Sequence, residues 1–153
     1  MKKTSNKGFS MVELIIVIAI MAILAAALAP ALIKYINKSR LSTDVQTGQT
    51  IATSIQSALA DEAANNSASS VATTDVNNLL AGTDDFCKEF AAIMGVSSVT
   101  GKSAKDVNGS TFTNHSFYIS MNPASNAVKV WYGTTGGDSW LVSPDPGAGM
   151  VKK

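Results

Sequence analysis

At 153 residues and 15.9 kDa the chain has room for one domain and a short appendage, which excludes a multidomain enzyme. The composition is 46% hydrophobic and 15% charged with a formal charge of +1, so no strongly basic face for nucleic acid is expected. A single cysteine, Cys87, and a single histidine, His115, exclude an internal disulfide and a closed Cys/His zinc site.

The average hides an uneven distribution along the chain. Lys2, Lys3 and Lys7 precede a run from Leu14 to Ile33 that is 20 residues long and carries no charge. At about 1.5 Å per helical residue it matches the roughly 30 Å hydrocarbon core of a bilayer. A basic segment, an apolar stretch and Ala-x-Ala spacings such as Ala27-Leu28-Ala29 are the marks of an ordinary secretory signal peptide. Against that reading, the run exceeds a usual signal core, Pro30 obstructs the Ala27-Leu28-Ala29 site, and the helical pattern continues past it. Glu13 stands directly before the run. The eleven Ile, Leu and Val residues between Leu14 and Ile33, at about −0.3 to −0.6 kcal/mol each, outweigh an acidic residue costing about +3 kcal/mol. An ionisable group at the edge of a spanning helix is a functional-site candidate, because burying it in an assembly without a partner is costly.

The segment Lys7-Gly8-Phe9-Ser10-Met11-Val12-Glu13-Leu14 and the apolar helix behind it resemble the class III leader and N-terminus of type IV pilins and pseudopilins. The matching features are a short basic leader, Gly8 before the cleavage point, Phe9 after it, Glu13 at the fifth position of the cleaved chain, and Pro30. Met11 departs from the commoner leucine, and the helical pattern carries the likeness through about the first 60 residues. The resemblance implies that a membrane-embedded prepilin peptidase cuts between Gly8 and Phe9 and methylates the new Phe9 amine. It also implies a pairing of that amine with Glu13 of a neighbouring subunit during assembly, and an assembly ATPase and platform protein as partners.

Beyond Ile33 the pattern becomes one-sided: Leu41, Val45, Gly48, Ala52, Ile55 and Leu59 step by three and four, which places them on one stripe of a helix. Lys38, Arg40, Asp44, Gln46 and Gln49 are expected on the water face. Pro30 should remove a hydrogen bond and kink the helix, and Gly48 is a second weak point. Asp61 to Thr74 reads as an exposed connection. A short helix is predicted over Asp75–Ala81, and another carries Phe86, Phe90, Ile93 and Met94 behind Thr83-Asp84-Asp85 as caps, with Gly95 as its stop.

The period then changes to two. Phe117, Ile119 and Met121, and after Pro123-Ala124-Ser125-Asn126 also Val128, Val130 and Tyr132, predict two antiparallel strands. Trp140-Leu141-Val142 after Gly136-Gly137 is a third candidate, Asn108-Gly109 is a hairpin turn signal, and Pro144 to Lys153 reads as irregular. Cys87 reads as a buried, inert thiol and His115 as a strand surface residue. No phosphate loop, zinc-protease helix or serine nucleophile elbow is present, so no catalytic residue and no cofactor are expected. Asp138 and Asp145 flank a Gly-rich loop, and the major pseudopilin of type II secretion is similar in binding calcium near its C-terminus; two acids are few for such a cage. Four Asn-x-Ser sequons, at Asn37, Asn65, Asn108 and Asn114, are of a kind that arises easily in a Ser- and Asn-rich chain.

The expected fold class is α+β: a long N-terminal helix, with a membrane half and an amphipathic half, packed on a small antiparallel β-sheet head. Residues 1–8 form the cleaved leader, 9–34 the transmembrane and filament-core half, and 35–153 the rest of the helix with the head. The expected role is a type IV pilus subunit that polymerises with itself, held in the cytoplasmic membrane with its head outside until it enters an extracellular filament. The alternatives are a pseudopilin of a type II secretion or competence system, a secreted soluble domain with an ordinary signal peptide, and a bitopic protein that never assembles. Lack of the C-terminal cysteine pair of many Gram-negative major pilins leaves Gram-positive pili and pseudopili open.

Overall fold

The computed structural model describes residues 8–133, 140–147 and 150. The chain divides into two units, Met1–Ile36 and Asn37–Lys153. Helix α1 spans Met11–Ala58 and continues through Pro30, whose missing N–H leaves one backbone carbonyl without its helical donor but does not end the helix.

Within the second unit, α1 does what its periodicity demands. Leu41, Val45, Gly48, Ala52, Ile55 and Leu59 all face the core, joined by Ile51 and Ala58. The opposite face is dressed with threonines whose hydroxyls donate back to the helix, Thr43 to the Ser39 carbonyl, Thr50 to Gln46 and Thr53 to Gln49. Gly48 is a packing position rather than a flaw: a Cβ there would run into the Val142 side chain.

The cover is a four-stranded antiparallel sheet in the order β1-β2-β3-β4, formed by Val71–Asp75, Phe117–Asn122, Ala127–Tyr132 and Leu141–Ser143. The β2/β3 hairpin pairs Ile119 with Val130 and Met121 with Val128, so the predicted alternating residues share the inner face. Asn122 caps the turn between them by accepting from the Ala124 N–H, and Asn126 adopts a left-handed conformation that its side chain tolerates.

Three short helices complete the unit: α2 (Glu62–Ser67), α3 (Val76–Leu80) and α4 (Asp85–Met94). Each has an aspartate cap, Asp61, Asp75 and Asp84, accepting from a backbone N–H of its first turn. On α4 the rings of Phe86 and Phe90 stack with centroids 6.3 Å apart inside the core. Ile93, grouped with them by spacing, is instead exposed.

Asp61 to Thr74 is not a bare connection. It holds α2 and most of β1, an edge strand whose single aliphatic anchor, Val71, gave no period, and whose ladder with β2 is irregular between Val71 and Thr74. Asn108-Gly109 does tip a turn, but the segment closes through one bridge, Lys105 to Thr111, rather than through strands. Trp140 precedes β4 and packs against the core, and Met150 is buried, so the described residues of the tail, 144–147 and 150, are irregular yet anchored. The Gly136-Gly137 turn lies outside the described residues.

Every buried residue of the hydrophobic core lies between Leu41 and Met150. A chain starting at Asn37 is therefore expected to fold and melt cooperatively on its own. In it Ile55→Asp should cost several kcal/mol, a large share of the roughly 5–15 kcal/mol of a whole domain, because Ile55 is 0% exposed. Gly48→Leu, forced against Val142, should also lower the melting temperature, and circular dichroism melts equal to wild type would show that the stripe is not core.

Candidate processing and assembly site

The first described residues are open to any partner. Gly8 has no atom within 4 Å of where a Cβ would sit, and Phe9 is 93% exposed. Ser10 is the residue on which the helix starts: its carbonyl accepts from the Leu14 N–H at 3.2 Å and its hydroxyl from the Val12 N–H at 3.3 Å. Glu13 reaches back, and its Oε2 accepts from the Ser10 N–H at 2.9 Å. Ser10-Met11-Val12-Glu13 is thus a capping box, legible in the sequence as S-x-x-E before an apolar run but overshadowed there by the charge argument. An ionised carboxylate offers about four lone-pair sites, so this single bond leaves Glu13 able to accept from a second donor.

Behind the box, α1 is long and apolar enough to cross a membrane, and none of its most apolar stretch is buried. Ile15, Ile18, Ile23, Leu28 and Ile33 are each more than half exposed. An exposed apolar surface of this extent marks a membrane or protein interface. Residues 3–29 match the family model of the prokaryotic N-terminal methylation motif. The chain carries the class III leader of type IV pilins and pseudopilins. No curated protein and no solved structure matches. The pilin-type motif implies processing by prepilin peptidase and filament assembly in general, and with the apolar helix it fits membrane anchoring.

The head holds a second polar constellation that sequence reasoning missed. Asp44, expected on the water face, is 1% exposed. Its Oδ1 and Oδ2 accept from the backbone N–H groups of Lys102 and Ser103 at 2.8 and 2.7 Å, tying the 101–106 loop to α1. The Ser103 carbonyl accepts from the Tyr132 hydroxyl at 2.6 Å and lies 3.0 Å from His115 Nδ1, which is equally close to the Tyr132 oxygen. Because the tyrosine proton is committed to Ser103, these partners assign the histidine proton to Nδ1. His115 is exposed, as expected, but it sits on the loop just before β2 rather than on a strand. Only its separation from Asp44 by 71 positions hid the constellation from the sequence.

Burial pushes the Asp44 carboxyl above its ordinary 3.8, with the two backbone N–H bonds pulling the other way. The Tyr132 hydroxyl is raised by burial and by the nearby Asp44 charge. Cys87 is buried, and burial with Asp84 beside it pushes its thiol up to about 12, so it is a neutral packing group. An open groove of about 330 Å³ between α1 and α4 is lined by Gln46, Gln49, Thr50, Thr53, Ser57 and Ile93, none of them titratable near neutrality. Among the described residues no three His, Cys, Asp or Glu side chains come together. Asp138 lies outside the described residues and Asp145 is exposed.

Asp44→Asn keeps one acceptor but turns an NH2 toward a backbone donor. It should cost about 1–3 kcal/mol, the penalty of an unsatisfied buried group. A carboxyl with a raised folded pKa stabilises the fold fully below its unfolded value, and that contribution is lost as pH rises through the folded pKa. Wild type should therefore gain stability over Asp44→Asn as pH falls from neutral toward about 4. Parallel stability profiles for the two proteins across that range would contradict the assignment.

Proposed function

We propose that the chain is a structural subunit of a type IV pilus, and not an enzyme. It would be stored in the cytoplasmic membrane with its head outside and assembled with copies of itself into an extracellular filament, with the assembly ATPase and platform protein as partners. The observation that carries this reading is the uncovered apolar helix beginning directly behind the open Gly8-Phe9 junction. Such a helix is soluble in lipid or among equivalent helices, so a filament exchanges lipid contacts for protein contacts. Head-to-tail association of this kind does not close and generates a helical fibre.

Processing supplies the polar half of the contact. Cleavage between Gly8 and Phe9 removes the lysines of the leader and leaves an amine on Phe9, whose charge a neighbouring Glu13 would balance. At about 4 Å two unit charges attract by roughly 4 kcal/mol at an effective dielectric of 20 but only about 1 kcal/mol in water. The pair therefore acts once lipid or packed helices exclude solvent, and desolvation leaves it a device for register more than for raw affinity.

Intact mass and N-terminal sequencing of the mature protein should give a chain starting at Phe9 with one added methyl group. A start at Pro30 or Lys34 would place it with secreted signal-peptide proteins instead. Gly8→Val, which crowds the scissile junction, should accumulate as full-length precursor in the membrane.

The capping box gives a sharper test of Glu13, since glutamine also serves at that position of the box but carries no charge. Glu13→Gln should be cleaved and anchored like wild type yet be missing from sheared surface filaments. Filaments containing Glu13→Gln at wild-type levels would reduce Glu13 to a helix cap. Uncleaved precursor would move its role to the peptidase step.

A further inference from the structure

The 101–116 segment carries a feature that neither the assembly site nor the core uses. Asn108-Gly109 is the only Asn-Gly pair in the sequence, and both residues are exposed at the tip of a turn. Asp106 builds that turn: its Oδ1 accepts from the N–H groups of Asn108 at 2.9 Å and Ser110 at 2.7 Å. Its own N–H donates to the Ser110 carbonyl at 2.9 Å. Gly109 has φ +92° and no atom within 4 Å of a Cβ position, and its N–H is held only by a 3.2 Å bond to the Asp106 carbonyl. That distance is the long end of the usual range, and a solvent-exposed turn opens locally at little cost.

We infer that Asn108 is a site of spontaneous deamidation, converting to aspartate and isoaspartate with water as the only co-reactant. The Gly109 backbone nitrogen attacks Cγ of Asn108, forming an N–Cγ bond. The Cγ–Nδ2 bond breaks and ammonia leaves with the proton from the Gly109 nitrogen, giving a five-membered succinimide. Water then opens the ring. Breaking the bond from nitrogen to Cγ gives aspartate, and breaking the bond from nitrogen to the main-chain carbonyl carbon gives isoaspartate, whose backbone runs through Cγ. Nothing is oxidised or reduced. Glycine allows the approach because it has no Cβ to meet the Asn108 side chain.

Four other asparagines are held back by their surroundings. Asn65 donates its side-chain amide to the Leu59 carbonyl, Asn77 to Val99 and Asn114 to the Tyr118 hydroxyl. Asn122 precedes Pro123, which has no N–H to lose.

The consequence falls on the turn. Either product places a carboxylate two residues from Asp106, and isoaspartate also lengthens the backbone inside the loop that Asp106 closes. The Ser110 bond to Asp106, the bridge from Lys105 to Thr111 and the Phe112 N–H bond to the Ala104 carbonyl all depend on that spacing. Phe112 in turn sets its ring edge-on to Tyr132 and Trp140, with centroids 4.6 and 5.2 Å away. Modification at Asn108 thus loosens one margin of the head core.

Trypsin cuts after Lys105 and Lys129, so one peptide carries Asn108, Asn114, Asn122 and Asn126 together. The full chain, held folded in detergent micelles in mildly alkaline buffer, is sampled over time and that peptide is read by fragmentation mass spectrometry. Asn108 should gain about one dalton at least about ten-fold faster than the three other asparagines, none of which precedes glycine. It should also give two separable isomers, one a substrate for isoaspartyl methyltransferase. Conversion of Asn108 no faster than its neighbours would overturn the inference. Asn108→Gln, incubated identically, should keep its melting temperature while aged wild type loses some. Equal loss in both would refute the structural consequence.

Discussion

A single helix that must satisfy two solvents is the constraint on which the remaining structure depends. Over Leu14–Ile33, α1 has no face that water can accept; over Leu41–Leu59 it has one. The second stretch is met within its own unit. Ile51 and Ile55 are fully buried in one core cluster with the inner-face residues of β2 and β3 and the α4 aromatics, and Gly48 is bare so that β4 can place Val142 against the helix. Among the described residues nothing covers the first stretch, and this is where physical chemistry turns into function. A surface that cannot be hydrated and is not covered has to find lipid or another subunit.

The polar groups follow from the same constraint. Near the start of α1, Glu13 is occupied by its own capping box but not saturated, which leaves the carboxylate that holds the helix end with room for the second donor that the proposed filament contact requires. Inside the head, Asp44 is the cost of running a loop across the core: the 101–106 segment brings backbone N–H groups into a dry place, and the carboxylate supplies their acceptors. Tyr132 and His115 close the account on the Ser103 carbonyl. Removing Asp44 leaves the Lys102 and Ser103 N–H groups without their acceptor, so the carboxylate fixes the loop by the penalty of disruption more than by net attraction.

That loop ends in the Asp106 turn, so the head has a firm side and a soft side. Two carboxylates organise the same segment under different conditions. Asp44 works in the core, where its bonds are protected from solvent. Asp106 works beside an exposed Asn-Gly tip, where backbone opening is cheap and the chemistry of the side chain decides what happens next.

The sequence by itself determined the local features: the charge-free run, the junction at Gly8-Phe9, the buried stripe from Leu41 to Leu59, the Asp84 and Gly95 limits of α4, and the two alternating strands. Each is written within a few residues, as periodicity, a cap or a turn, so neighbouring letters suffice. What depended on distant contacts was decided only by the tertiary structure. Asp44 looks like a surface residue until a loop some sixty positions away arrives with two unpaired N–H groups. The contacts of His115 Nδ1 with the Ser103 carbonyl and the Tyr132 hydroxyl likewise join residues that no local pattern links. β1 and the Met150 anchor have almost no period of their own and exist because β2 and the core offer them an edge and a cavity. Hydrogen-bond satisfaction and close packing are properties of the assembled neighbourhood, and no window along the chain contains them.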